Sequence, residues 1–403
     1  MTLWLVVFRS LRQHALSTIV TALSIALGGG LLMSVWAVKT QSSAVFTGVN
    51  GGFDAVLGAR GAKLQLVLNA IFHLEASPGN IEWSDYQEIK NNPNVDLAVP
   101  IAVGDNYHGY RLVGTLPELF ERAEYAPGRH YEFQPGGRIF DPTLREAVVG
   151  SFVAQKMNLN RGDVFHPYHG LIYNEKDQHS ETYVVVGILM PSNTPADRVI
   201  WIPLEGIQRM TGHNPDNVTE VSAVLVKLKE GAAAAGFRLN TMYNKEGKRL
   251  TFAWPIGQVM VELFNKIGWV DSVLELVSYL VALVTSASIL ASIYNSMNER
   301  RREIAILRAL GARRRTIFGA ILLEAASISA LGMAIAFLFY AIIMIVAAHI
   351  IRAQTGVVIE PMKFNQVMFW APVALITLGA LAGIVPALKA YRTDVAEYLS
   401  PSS

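Results

Sequence analysis

The stretch 298-NERRREIAILRALGARRRTIFGAILLEA-325 lies between two strongly apolar segments, and its reading decides how the rest of the chain is arranged. Arg300, Arg301, Arg302, Arg308, Arg313, Arg314 and Arg315 crowd it, opposed before Arg315 only by Glu299 and Glu303. Lys and Arg in short loops resist translocation, so this loop is expected on the cytoplasmic side. It also reads as a helix with a stop. Ile304, Leu307 and Leu310 share one face, and Gly311 stands where a left-handed C-cap residue belongs. A short amphipathic helix between two spans suits docking into a groove on a soluble partner. The alternative is that the arginines set topology and touch lipid headgroups only. The spacing leaves both readings open.

Outward from this loop, residues 267–297 and 317–349 read as the second and third membrane spans. The helix of the second is expected to start near Gln258, because Val259, Leu263, Lys266 and Val270 keep helical phase with only Gly268 as a breaker. Residues 298–316 are the basic loop, 350–366 an outer loop, 367–388 a fourth span with Pro372 and Pro386, and 389–403 a cytoplasmic tail. At the other end, residues 1–14 put Leu3, Trp4, Val7, Phe8 and Leu11 on one face of an interfacial helix. Residues 15–38 carry no charge and read as an uncleaved first span rather than a signal peptide, with Gly28, Gly29 and Gly30 open to close helix approach.

Residues 39–266 contain no run of span length. Strands are expected at 54–57, 95–103, 110–114, 146–149, 182–189, 199–202 and 220–228, and helices at 64–74, 84–91, 151–157, 204–210 and 231–244. The expected class is an α-helical membrane protein with four transmembrane helices and a large α+β extracytoplasmic domain between helices one and two. Both termini then face the cytoplasm.

Composition supports this division. Of 403 residues, 52% are hydrophobic and 16% charged, which fits spans plus a sizeable water-exposed domain. A net charge of +2 carries no nucleic-acid signal. The chain has no cysteine, so disulfides, thiolate zinc sites and cysteine nucleophiles are excluded. Gly58-Ala-Arg-Gly61-Ala-Lys63 lacks the spacing of a phosphate-binding loop, so ATP, if it drives this protein, is expected on another chain. No nucleophile–base constellation is visible, and no catalytic residue is assigned.

Glu299-Arg300, Arg302-Glu303-Ile304 and Ala309-Leu310-Gly311-Ala312, followed by arginines, resemble the E-R-x-x-E-I…A-L-G-A signature of the FtsX/MacB-type ABC transporter permeases. Further segments agree in order. Glu146-Ala-Val-Val-Gly150 with Leu159-Asn-Arg-Gly162-Asp163, then Val184-Val-Val-Gly187-Ile188, then Asp197-Arg198 through Ile202-Pro203-Leu204 resemble the MacB-type periplasmic domain. Pro386-Ala387-Leu388-Lys389-Ala390 with Asp394 through Leu399 is similar to the family's closing segment. The resemblance implies an inner-membrane permease whose coupling helix rides in a separate ABC ATPase subunit. The residues it assigns to that contact are Glu299, Arg300, Arg302, Glu303, Ile304, Leu307, Ala309, Leu310 and Gly311. It also implies a second permease copy, identical or related, a periplasmic partner protein, and motion transmitted to the outer domain for export or extraction. A lipoprotein-releasing permease, a non-transporting regulator of envelope enzymes, metal-linked transport and a receptor without an ATPase are the alternatives.

Other residues invite chemistry. Seven of nine histidines lie in 39–266, and His166, His169 and His179 form a candidate zinc site, against the alternative of surface histidines in a polar loop. Glu324 falls inside the third span, where a carboxylate is costly; pairing with Arg313 to Arg315 is expected above proton transfer. Tyr107, Tyr110, Tyr125, Tyr131 and Phe133 could line a binding patch, with core packing the commoner explanation.

Overall fold

The structure is a computed structural model and describes residues 3–213, 218–299, 311–355, 358–385 and 387–388, together with Ile306 and Ala309. In chain order it begins with α1 (Leu3–Gln13) and α2 (Ala15–Gly48). Then come β1 (Ala55–Ala59), α3 (Lys63–Ala70), β2 (Ile81–Glu82), α4 (Trp83–Lys90), β3 (Val95–Tyr107), β4 (Tyr110–Thr115) and α5 (Glu118–Arg122). A small hairpin of β5 (Glu124–Ala126) and β6 (Arg129–His130) leads to β7 (Glu146–Val149), α6 (Ser151–Met157), β8 (Val164–Phe165) and β9 (Tyr168–His169). The domain closes with β10 (Tyr183–Ile188), β11 (Ile200–Pro203), α7 (Leu204–Gln208), β12 (Glu220–Val221), β13 (Ala223–Leu228), α8 (Ala233–Thr241), β14 (Leu250–Ala253) and α9 (Ile256–Lys266). Three apolar helices follow, α10 (Gly268–Glu299), α11 (Arg314–Thr355) and α12 (Val367–Ala382).

These residues fall into two compact units, one of Met1–Gln41, Gly268–His349 and Glu360–Ser403, the other of Ser42–Ile267 and Ile350–Ile359. Among the described residues, three helices are long and apolar enough to cross a membrane, namely α2, α10 over Gly268–Ala291, and α11; α12 is shorter. Close approach explains the glycine run in α2. A Cβ on Gly28 would stand 2.2 Å from Thr285 Oγ1, and one on Gly30 would stand 2.8 Å from Phe339 Cβ. Without a hydrophobic drive between helices in lipid, such small-residue contacts carry the packing.

Helix ends depart from span ends because hydropathy marks the membrane and not the end of helical geometry. The first helix runs past Val38 to Gly48, and α11 continues to Thr355. The helix expected from Gln258 through the second span is two helices. α9 starts at Ile256 and ends at Lys266, Ile267 leaves helical geometry at φ −93 and ψ 9, and α10 opens on Gly268.

The second unit is built on one mixed sheet of ten strands. Its path runs β14-β1-β13-β3-β4-β11-β7-β10-β8, with β9 paired to β3. The β7–β10 and β4–β11 pairs are parallel and the remaining pairs antiparallel. Alternation along the central strands sends side chains to both faces. On β13, Val224, Val226 and Leu228 join one core with Tyr86 and Ile89 of α4 and Leu204 and Ile207 of α7. Ala223 and Leu225 join the other, with Leu66 and Val67 of α3 and Val259 and Met260 of α9. Helices therefore cover both faces. Each fully buried Val, Leu or Ile contributes about 1.5–3 kcal/mol, so a one-residue slip of β13 or β3 would exchange two complete cores.

The aromatics at 107–133 do not form one patch. Tyr107 and Tyr110 pack on the α4 side of the sheet, and Tyr125, Tyr131 and Phe133 on the α3 side.

Candidate functional site

Two places in the chain carry unusual chemistry, and each belongs to a single unit. The first begins at a defect in β3. Val103 opposes Val113 on β4, but Asp105, two residues on, opposes Leu112, so Gly104 is an extra, unopposed residue. Without this bulge Asp105 would share the face of Val103. With it, the side chain moves to the face of Leu112, on the α4 side. β3 then turns back through a two-residue hairpin in which His108 and Gly109 hold φ +48 and +87, the geometry of a type I′ turn.

Three histidines converge on Asp105. His169 of β9 is its direct cross-strand neighbour, with Nδ1 3.4 Å from Asp105 Oδ1. His179, before β10, places Nε2 3.2 Å from the same oxygen, and His213, in the turn after α7, places Nε2 at 3.1 Å. The ring centroids are 5.1–5.5 Å apart, close to an equilateral triangle. Asp105 is fully enclosed, the side chains of His179 and His213 are 5% and 10% exposed, and His169 is 55% exposed, forming the outer wall. A cleft of about 320 Å³ opens beside His169 and His213.

Two of the three histidines are held from behind, and the turn that carries the third is pinned. His179 Nδ1 donates to the carbonyl of Thr211 at 2.9 Å, and His213 Nδ1 donates to that of Ile207 at 2.7 Å. Asn106 donates from Nδ2 to the carbonyl of Gly170 at 2.9 Å, fixing the β9 turn that carries His169. Glu181 accepts from the Thr211 amide and hydroxyl at 2.9 and 2.6 Å, which sets the carbonyl facing His179. Burial works to raise the Asp105 carboxyl, but the His179 and His213 contacts outweigh it and hold it below the usual range. The Asp105 contact also raises His213 above the ordinary histidine value, against burial.

His166 is not part of the cluster. Its Nδ1 lies 3.1 Å from the carbonyl of Glu181, in line with its place on the chain three residues before β9's last position. Of the three histidines expected together, His169 and His179 meet and His166 does not. Asp105 and His213 take its place. No spacing rule joins positions 105 and 213 to the His166–His169 pair. The one local signal is a glycine inside a strand pattern, Gly104, next to an acidic residue.

The second place is the 298–316 stretch. Arg300, Arg302, Glu303, Ile304, Leu307 and Leu310 lie outside the described residues. Glu299 ends α10, Ile306 and Ala309 are helical and exposed, and Gly311 holds φ +96, the left-handed region a C-cap glycine occupies. Inside α11, Glu324 Oε1 accepts from the hydroxyl of Ser10 on α1 at 2.8 Å, a partner the sequence did not suggest.

Span-length helices before and after a two-faced α+β domain in the chain, with a basic segment between α10 and α11, define a polytopic membrane protein with one large domain inserted in sequence between its spans. Residues 18–239 match the family model of the MacB-like periplasmic core domain, and residues 275–395 match that of the FtsX-like permease C-terminal region. The chain belongs to the FtsX/MacB-type permeases of ABC transporters.

Among curated relatives, the macrolide export ATP-binding/permease proteins MacB of Brucella melitensis and Brucella abortus are each 25% identical, over 97% of this chain. The chain spans 59% of the length of those relatives. Among solved structures, the periplasmic region of MacB from Actinobacillus actinomycetemcomitans aligns with a TM-score of 0.36 at 11% identity, over 54% of this chain and 94% of that one. The extracellular domain of the noncanonic ABC-type transporter YknZ from Gram-positive bacteria aligns with a TM-score of 0.31 at 16% identity, over 49% and 97%.

Proposed function

We propose that this chain is the membrane subunit through which a separate ABC ATPase moves an extracytoplasmic domain, and that the motion serves export or extraction of a substrate. The observation that carries the reading is the placement of the basic stretch. It lies within the matched FtsX-like region, between two apolar helices, and it contains Gly311 at φ +96. Glu299 closes α10, and Glu303 follows four residues on, a spacing that puts both carboxylates on one helical face where they can meet basic groups across an interface. Four spans, with α12 extended toward Leu388 as the last, and cytoplasmic termini follow from the arginine asymmetry. A plasma-membrane location, a second permease copy and a periplasmic partner complete the assembly. That the Brucella relatives are macrolide export proteins supports macrolide-like small molecules as the first substrates to try.

The test is reconstitution of the permease with its ATPase. Glu303→Lys is expected to leave insertion and domain folding intact while abolishing permease-stimulated ATP hydrolysis. If Glu303→Lys assembles and stimulates hydrolysis like the unaltered protein, and a variant lacking 299–311 still holds the ATPase, the stretch is a topology signal and the reading fails.

A further inference from the structure

We propose that Asp105 Oδ1, His169 Nδ1, His179 Nε2 and His213 Nε2 form a tetrahedral site for a divalent transition-metal ion, zinc in the first instance. This stands apart from the coupling role and from any assigned substrate. Four features carry it.

The first is a mismatch of hydrogen-bond capacity. Three ring nitrogens crowd one carboxylate oxygen at 3.1–3.4 Å, while Asp105 Oδ2, equally buried, has no partner among the described residues. A carboxylate serving as a plain acceptor spreads its donors over both oxygens. Convergence on one oxygen is the pattern of ligands around a common centre.

The second is the proton count. A backbone carbonyl only accepts, so Nδ1 of His179 and of His213 must carry the proton. In the neutral rings, each Nε2 then turns a lone pair toward the lone pairs of Asp105. Protons could fill these gaps only by placing a positive charge on both rings, with Asp105 the one carboxylate in contact with them and Glu181 acting on His213 from further off. One divalent cation fills all of them. The backing carbonyls are also what a metal-bound imidazole requires, since they fix its tautomer and its ring orientation.

The third is distance. With ligand bonds of about 2.0–2.1 Å, the edge of a tetrahedron is about 3.3 Å. The three contacts to Asp105 Oδ1 are 3.1, 3.2 and 3.4 Å, and all four ligand atoms lie within 4.8 Å of one another.

The fourth is access. The cleft beside His169 and His213 supplies an entry path to a floor that is otherwise sealed.

Nitrogen-rich ligation with one carboxylate and no thiolate suits zinc, and oxygen-preferring calcium or magnesium would not choose three imidazoles. Four protein ligands leave no open position, so the ion is structural or regulatory and activates no water. It would cross-link β3, β9, the segment before β10 and the turn after α7.

The test uses the full chain in detergent, stripped with chelator and then titrated with zinc alone against a chromophoric competitor. One zinc per chain is expected. His179→Ala and His213→Ala should each weaken binding by about 100-fold or more. His166→Ala, at the neighbouring histidine outside the cluster, should leave it unchanged. Cobalt substitution of the unaltered protein reads the geometry without any variant, through the intense visible bands of a four-coordinate ion. Substoichiometric zinc, loss of binding on His166→Ala, a weak octahedral cobalt spectrum, or binding of copper with none of zinc would each overturn the assignment.

Discussion

His73 makes the stability of the α+β domain depend on pH in a way the structure quantifies. Its backbone holds φ +54, its ring meets Trp201 edge-on at 5.5 Å and 82°, and its Nδ1 is buried without a partner among the described residues. Burial, then the charges of Arg111 and Arg198, push the imidazole down to about 3. The folded value lies below the unfolded one of about 6.5, so the unfolded chain binds more protons between them. Stability from this group is therefore complete above the unfolded value and is lost as pH falls toward the folded one. Between pH 7.5 and pH 5 the loss is about 2 kcal/mol, a figure set by the unfolded value and the pH because the folded group stays neutral throughout. For a domain of this size it amounts to about 4–8 °C in Tm. The assay is thermal unfolding of the full chain, followed by tryptophan fluorescence at both pH values, beside His73→Asn. Asparagine tolerates the left-handed backbone and does not titrate. Every other histidine is present in both proteins, so their contributions cancel in the comparison. The unaltered protein should lose about 4–8 °C more than the variant on acidification. Equal slopes would refute the argument.

Gly150 caps α6 at φ −61, a conformation any residue adopts, so its replacement is governed by space alone. A Cβ there would meet the backbone oxygen of Asp197 at 2.4 Å and that of Ala196 at 2.6 Å, atoms that cannot swing aside. Gly150→Ala should cost about 1–3 kcal/mol and lower Tm by several degrees in the same unfolding assay; an unchanged Tm would contradict this packing. Topology is checked by reporter fusions at Gly128 and Gly311, which should report opposite sides of the membrane, and a shared side would end the arrangement proposed for the spans.

Legibility in the sequence followed the range of the interaction. Glu146–Val149 and Ser151–Met157 are read at their observed bounds, because a buried β-branched run is followed by a glycine that ends it and caps the next helix. β14 escaped notice: Leu250–Ala253 is short and its neighbour β1 lies far away in the chain. From the sequence, the strand leading to Asp105 is expected over 95–103 only. In the structure the glycine is a bulge inside a longer strand, and the break in pattern is what turns Asp105 toward the histidines. His169 and His179 could be suspected from local density of histidine. His213 could not, because the contact that defines its role spans 108 positions and is made by sheet pairing and the turn after α7.

The coupling reading and the metal reading rest on separate groups of atoms, and this lets their failures be told apart. The coupling stretch draws on charge placed between two apolar helices and on one glycine with positive φ. The metal cluster draws on a bulge, a cross-strand pair and two backbone carbonyls within the α+β domain. Glu303→Lys should therefore leave zinc stoichiometry untouched. His179→Ala should leave the ATPase bound while removing the ion. If His179→Ala also changes permease-stimulated hydrolysis, the ion does more than brace the domain. Its four segments would then take part in the motion the ATPase drives, since removing one cross-link among β3, β9 and their flanking turns changes how freely those segments shift against each other. If hydrolysis is unchanged, the ion stabilises the fold alone.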